Sequence, residues 1–157
     1  MNKYTAILVL ILSAIILLFE CNICFGRDFS HWLDACAPYK QTVAEILKSE
    51  GISTDYYYLM VAESKCRMGA KSKAGALGFW QLMPETSRRF GCDNPDELEC
   101  ATRAAAKYIK SLEARFKTFE DVIIAYNMGG HNYKKNGKSK QALGLVYRVK
   151  KIKGADR

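Results

Sequence analysis

The apolar residues of the longest amphipathic segment, residues 101–116, recur with the period of an α-helix. A spacing of three or four residues places them along one side of a helix. The residues on that side are Ala101, Ala105, Tyr108, Ile109, Leu112 and Phe116. Nowhere does the chain alternate apolar and polar residues over several segments, as half-buried strands would. The pattern therefore predicts an all-α domain.

Capping residues, proline and glycine delimit further helices. Serine and threonine favour helix N-termini, proline suits a first turn, and glycine often ends a helix. The predicted helices are residues 39–49, which Gly51 ends; one capped by Ser53 and Thr54 that runs through Glu63; one from Pro84 to Gly91; and one from Thr118 through Tyr126. A loop rich in Gly, Ala and Ser, residues 69–82, joins the second and third of these helices.

The first 26 residues are predicted to be an export signal. Lys3 supplies a short positive region, and Glu20 ends an uncharged run at 14 residues, residues 6–19. That run is shorter than the roughly 20 residues that span a bilayer, so the pattern favours a secretory signal peptide ending near Gly26. The alternatives are an uncleaved membrane anchor through residues 6–19 and lipid attachment. We expect the mature chain in the periplasm or cell envelope.

Export changes the interpretation of the cysteines. Two of the six fall in the signal, and the other four, Cys36, Cys66, Cys92 and Cys100, allow three disulfide connectivities. We favour Cys36–Cys66 between two helices and Cys92–Cys100 around a short loop, because an oxidising compartment promotes disulfides. Free buried thiols are the alternative. These four cysteines outside the signal include no Cys-x-x-Cys pair, so we expect no metal site.

Glu63 differs from the other acidic residues because of its helical neighbours. It lies four residues after Leu59 and three after Met60, so it shares their apolar face. A carboxyl on such a face loses hydration, which raises its pKa and lets it act as a general acid near neutral pH. On periodicity alone, a solvated glutamate at a helix end is the simpler interpretation.

The motifs around and after Glu63 resemble those of the family-1 lytic transglycosylases. In chain order they are Glu-Ser at 63–64, Ala-Lys-Ser at 70–72, GALGFWQLMPET at 75–86, ATRAA at 101–105 and AYNMG at 125–129. Each motif alone is weak, but this order over residues 40–130 is specific. The Phe-Trp-Gln and Ala-Thr-Arg-Ala-Ala segments look closest to those of the membrane-bound lytic murein transglycosylase D branch. The resemblance implies a lysozyme-like single domain with the Gly-rich loop at the active-site groove.

The resemblance implies that Glu63 is the catalytic acid. In this family the carboxyl protonates the β-1,4 glycosidic oxygen between N-acetylmuramic acid and N-acetylglucosamine of peptidoglycan. The carboxylate then acts as base while the muramic C6 hydroxyl attacks its own anomeric carbon, which yields a 1,6-anhydro end. Most glycosidases use two carboxylates. The only other acid in the motif block, Glu85, is interpreted as part of a helix start, and the tethered hydroxyl replaces the second carboxylate.

The same resemblance implies roles for the neighbouring residues. Ser72 and Tyr126 would position the catalytic carboxyl, although a loop cap and a core residue are the respective alternatives. Asn127 would hold the Ala-Tyr-Asn turn and touch substrate. The residues matching sugar-subsite positions are Gln81, Met83 and Thr86.

Three further residues are candidates for the groove. Gly75 and Gly78 would let the backbone approach the glycan closely. Tyr147 matches, faintly, a distal family motif that closes the groove. Trp80 is interpreted as core rather than as a sugar-stacking platform.

The formal net charge of +8 is concentrated at the C-terminal end. From Tyr133 onward there are nine Lys and Arg against one acid, Asp156, whereas residues 27–132 carry fourteen of each sign. We therefore predict a domain over residues 27–132 and a separate basic segment, residues 133–157, that is solvated and partly helical. The alternatives are attraction to wall carboxylates and anionic polymers, or to a membrane surface. The chain lacks base-reading motifs, so we expect no nucleic-acid partner.

Three functions fit the sequence. The leading one is an exported, monomeric lytic transglycosylase without a cofactor, acting on peptidoglycan strands. Its small size suits local opening of the wall for a secretion or conjugation apparatus. The alternatives are a goose-type-lysozyme-like hydrolase, which delivers water to the anomeric carbon, and a non-catalytic glycan-binding assembly factor.

Overall fold

Helices form nearly all the regular structure of residues 29–156, the part of the chain that the computed structural model describes. They are α1 (Ser30–Ser49), a 3-10 turn (Thr54–Tyr56), α2 (Tyr57–Ser64), α3 (Pro84–Arg89), α4 (Leu98–Glu113), α5 (Phe119–Met128), α6 (Gly130–Asn136) and α7 (Lys140–Ala155). The all-α prediction is confirmed. The predicted export signal, residues 1–26, and its two cysteines lie outside the described residues.

The predicted capping residues begin the helices that follow them. The Thr118 hydroxyl accepts a hydrogen bond from the Asp121 N–H at 3.1 Å and opens α5, and Ser53 caps the 3-10 turn through Asp55. The first helix differs from its prediction, because α1 begins at Ser30 rather than near residue 39. Pro38 lies inside α1, and proline interrupts the backbone pattern that marks a helix interior.

Apolar faces of α1, α2, α4, α5 and α7 enclose one core. Trp80, from the Gly-rich loop, is completely buried in it, and its indole N–H donates a hydrogen bond to Thr102 Oγ1 at 2.9 Å. The interpretation of Trp80 as a core residue is confirmed. The loop is therefore anchored to the core near its C-terminal end, which fixes the residues on either side of Trp80.

Both favoured disulfides are present. Cys36 of α1 is bonded to Cys66, which follows α2, and Cys92 is bonded to Cys100 of α4. Each pair has its Cα atoms 5.3 Å apart. The first disulfide ties the end of α2, where Glu63 lies, to the longest helix of the domain.

The C-terminal region differs from the predicted boundary after residue 132. Helix α7 packs against α2 and α5 instead of forming a separate solvated segment. Its buried residues recur at helical spacing and belong to the core: Ala142, Leu145, Val146, Val149 and Ile152. Burial of this apolar side fixes α7 to the domain, because apolar surface is removed from water there.

Several C-terminal lysines pair with carboxylates of the rest of the domain. Lys138 pairs with Asp121, Lys150 with Glu120, and Lys153 with Asp55. These cations are therefore partly neutralised on the folded surface. No helix within residues 29–156 is long and apolar enough to cross a bilayer.

Candidate active site

A groove of about 290 Å³ lies between α2, the Gly-rich loop and helices α3, α4, α5 and α7. The residues that line it are Glu63, Ser72, Ala74, Ala76, Gln81, Leu82, Met83, Thr86, Tyr108, Tyr126, Asn127, Met128, Gly129 and Gln141. Seven residues to which the sequence assigned catalytic or supporting roles are among them: Glu63, Ser72, Gln81, Met83, Thr86, Tyr126 and Asn127. The groove thus brings together predicted residues up to 64 positions apart in the chain, from Glu63 to Asn127.

Glu63 lies in the last turn of α2, next to helical neighbours that are fully buried. Burial disfavours its charged form and raises the pKa of its carboxyl to about 7. Two influences act in the opposite direction and favour the carboxylate: the positive charge of Arg148 and a hydrogen bond from the Asn127 side chain. The carboxyl can therefore give up or accept a proton near neutral pH.

Ser72 and Tyr126 hold the walls of the groove beside this carboxyl. The Ser72 hydroxyl accepts a hydrogen bond from the Ala76 N–H at 3.0 Å, which fixes the Gly-rich loop. The buried Tyr126 hydroxyl donates to the Trp80 carbonyl at 2.8 Å and so ties α5 to the same loop. Burial and the nearby charge of Glu63 both raise the Tyr126 pKa well above its usual value. Its phenol is therefore a neutral donor.

The family comparison agrees with this arrangement. The family model of the transglycosylase SLT domain matches residues 43–145. The chain belongs to the transglycosylase SLT domain family. This confirms the predicted family and its lysozyme-like all-α fold.

Two curated relatives of this SLT-domain chain carry the same name. They are the membrane-bound lytic murein transglycosylase D of Escherichia coli strain K12 and that of Escherichia coli O6:H1. Each is 28% identical to the chain over 114 residues, which cover 68% of the chain and 25% of the relative. The chain thus spans about a quarter of the length of the relatives it matches.

The three predicted sugar-subsite residues of the SLT domain lie along one rim of the groove. Gln81 has a positive φ of 49°, and its side-chain amide donates to the carbonyls of Ala70 and Gly78 at 3.0 and 2.9 Å. Met83 precedes α3 with 45% of its surface exposed, and Thr86 lies in the first turns of that helix. Gln81 thus braces the loop, while Met83 presents an apolar side chain to whatever enters the groove.

Three candidates, Gly75, Gly78 and Tyr147, lie outside the groove lining. Gly78 has φ +72°, and a Cβ there would stand 1.9 Å from the Pro95 carbonyl oxygen, so the close approach is to another loop of the protein rather than to glycan. Gly75 has φ +91° with open space around it. Tyr147 is 45% exposed and lies beneath the Lys151 ammonium, 5.7 Å from its ring centre.

The sequence interpretation missed several groove residues. Tyr108 was placed on the core side of α4, but its ring also stacks near Tyr126, with centres 5.2 Å apart, and reaches the groove. Gln141 was assigned to the basic segment, although it lies one position before the first buried residue of α7. The apolar spacing of α7 is the signal that could have revealed it.

Among the described residues, no cluster of His, Cys, Asp and Glu could hold a metal ion. The groove offers hydroxyls, amides and one carboxyl, a set that suits a neutral polyhydroxylated ligand.

Proposed function

We propose that this chain is a lytic transglycosylase, with Glu63 as acid and then base. The proposed substrate bond is the β-1,4 linkage between N-acetylmuramic acid and N-acetylglucosamine in peptidoglycan, and the proposed product carries 1,6-anhydromuramic acid. The observation that carries the proposal is the Glu63 carboxyl in the groove of an SLT domain, with its pKa raised to about 7. A catalytic acid works best when its pKa lies near the working pH.

In the first step, protonated Glu63 gives its proton to the glycosidic oxygen as the bond from that oxygen to the muramic C1 breaks. N-acetylglucosamine leaves with a free 4-hydroxyl. In the second step, the Glu63 carboxylate takes the proton of the muramic C6 hydroxyl while that oxygen bonds to C1. The carboxyl is then protonated again, and water is neither consumed nor released.

The composition of the groove supports an internal nucleophile. Glu63 is the one acidic side chain among the fourteen described residues that line the groove. Hydrolysis by the usual glycosidase route uses a second carboxylate that faces the first across the bond. A C6 hydroxyl tethered to the reacting sugar has a high effective concentration and does not need that second group.

Mass spectrometry of peptidoglycan digests tests the proposal. We expect 1,6-anhydromuramic ends from the wild-type chain and a loss of at least about 100-fold in rate for Glu63→Gln, as for removal of a general acid. Glu85→Gln is the matched control, because Glu85 is an exposed glutamate of α3 outside the groove lining. Reducing muramic ends would instead indicate a goose-type-lysozyme-like hydrolase. Glycan binding without cleavage would indicate a non-catalytic assembly factor.

We infer an exported, monomeric enzyme in the periplasm or cell envelope, where peptidoglycan strands are accessible. The names of its relatives, membrane-bound lytic murein transglycosylases, support an envelope location. Local wall opening for a secretion or conjugation apparatus suits a catalytic domain of this size. Fractionation of cells that produce the tagged full chain tests the location.

A further inference from the structure

One side of α7 begins at the groove that holds Glu63 and continues to Arg148. Gln141, Gly144 and Arg148 are three and four residues apart, so they follow one another along one side of the helix. Gln141 lines the groove. The Arg148 guanidinium folds back along this side, with Nη1 3.7 Å from the position that a Cβ of Gly144 would occupy. Its charge is thus held on the groove side of α7.

Arg148 differs from the other cations of the C-terminal region. Lys138, Lys150 and Lys153 pair with surface carboxylates, and the other lysines of the region, Lys134, Lys135, Lys140 and Lys151, are exposed. Arg148 is half-buried and yet forms no ion pair within residues 29–156. The carboxyl on which its charge acts is Glu63. Helices α2 and α7 pack directly against each other, so this relation is built into the core.

The other groups around Glu63 are neutral. Asn127 of α5 hydrogen-bonds the carboxyl, and Tyr126 of the same helix is a neutral phenol. Tyr108 of α4 shares the groove, and burial raises its pKa, so it is also neutral. From α7, Gln141 is an uncharged amide. Among the described residues, Arg148 is therefore the charged group that counteracts the rise in the Glu63 pKa caused by dehydration.

We propose that Arg148 is a positioning residue whose guanidinium stabilises the Glu63 carboxylate formed when the proton passes to the glycosidic oxygen. This inference rests on the proposed function. Arg148 lies outside the groove lining, so we assign its effect to the Glu63 carboxyl rather than to contact with the substrate. A dehydrated carboxyl without this cation would hold its proton more tightly and be a weaker acid.

A carboxyl ¹³C NMR titration of Glu63 in the full disulfide-bonded chain tests the inference without substrate. The Glu63 signal is assigned by its loss in Glu63→Gln. In Arg148→Met we expect the titration midpoint to rise by about one pH unit, as for loss of a nearby opposite charge. Arg148→Lys keeps the positive charge, so its midpoint should lie close to that of the wild type. Lys151→Met, which removes a cation from the exposed side of α7, is the control and should leave the midpoint unchanged.

Kinetics give the second readout. In Arg148→Met we expect kcat to fall at least about tenfold and the high-pH limb of kcat/KM to move to higher pH, with rescue by Arg148→Lys. An unchanged Glu63 midpoint in Arg148→Met overturns the inference, whatever happens to activity. If Arg148→Met does not fold, Arg148→Gln provides the same titration. A chain that is inactive in every form contradicts the proposed function, while the titration still decides the role of Arg148.

Discussion

Replacing Glu63 with glutamine should change how the stability of the protein depends on pH. In the folded chain, burial raises the Glu63 pKa from its ordinary 4.5 to about 7, whereas unfolding returns the carboxyl to water. Between these pH values the folded state binds more protons than the unfolded state. The stabilising contribution of protonated Glu63 is thus fully present below about pH 4.5 and is lost as the pH rises through 7.

The size of the loss follows from the two pKa values. Their difference, at about 1.36 kcal/mol for each pH unit, corresponds to about 3 kcal/mol of unfolding free energy. A glutamine side chain does not titrate, so Glu63→Gln does not share this loss. As the pH rises from 4.5 to 8, the unfolding free energy of Glu63→Gln should therefore increase by about 3 kcal/mol relative to that of the wild type. Ion pairing lowers the pKa of Asp156, which adds stability as the pH rises, but this contribution is common to both proteins and cancels.

Urea denaturation of the oxidised wild type and Glu63→Gln, at intervals from pH 4.5 to pH 8, measures the difference. Glu85→Gln, which removes an exposed carboxylate, is the control. A wild-type-minus-variant difference that stays constant to within about 0.5 kcal/mol across this range, the usual size of a surface effect, would refute the reasoning. It would mean that water reaches the Glu63 carboxyl in the folded protein.

Four further substitutions test the packing of the domain. Gly78→Ala should cost more than about 3 kcal/mol in urea denaturation, because its Cβ would collide with a backbone carbonyl; Gly75→Ala, with similar φ but open space, should cost only the backbone strain of about 1–2 kcal/mol. Trp80→Phe should lower thermal stability by about 1 kcal/mol through loss of its indole hydrogen bond, and an unchanged melting temperature would contradict that. Leu145→Ala should cost about 2–5 kcal/mol by chemical denaturation, whereas a solvated C-terminal segment would tolerate it.

Local signals in the sequence were sufficient for much of the fold. The apolar spacing of residues 101–116 indicated α4, and Thr118 marked the start of α5, because periodicity and capping involve residues within a few positions of each other. Glu63 is a different case, because its local apolar spacing alone favours a solvated glutamate at a helix end, and the order of the motifs along the chain identifies it; in the structure its apolar neighbours are buried on its own helix. Their burial accounts for the direction of its pKa shift.

Charge obscured the signal in the C-terminal region. Helix α7 carries lysines at both ends and buried apolar residues such as Leu145 and Val149 between them, so its positive charge masks the apolar spacing. A lysine on the outer side of a helix is compatible with a buried inner side, because the two sides face different surroundings. The local pattern was therefore present. The predicted boundary after residue 132 was wrong because the net charge of a segment does not show on which side of a helix the charged residues lie.

Other features depend on contacts that no local pattern contains. Gly78 is required by the Pro95 carbonyl, 17 positions further along the chain, and the sequence alone cannot identify which backbone approaches a glycine. Similarly, Tyr147 was predicted to close the groove, but it is the charge of its neighbour Arg148 that acts on Glu63. Which of these two neighbours is on the groove side depends on the rotation of α7 about its axis. That rotation is set by the packing of α7 on α2 and α5.

The proposed reaction makes two opposed demands on one carboxyl, which must first hold a proton and then be stable without it. Burial on α2 serves the first demand and, acting alone, would make Glu63 a weak acid. The Asn127 side chain and the Arg148 charge serve the second and, without burial, would leave the carboxyl ionised at neutral pH. Because these opposing influences come from α2, α5 and α7, a pKa near 7 requires the assembled domain. Without α7 this domain would lose core packing and the Arg148 charge that acts on Glu63 together.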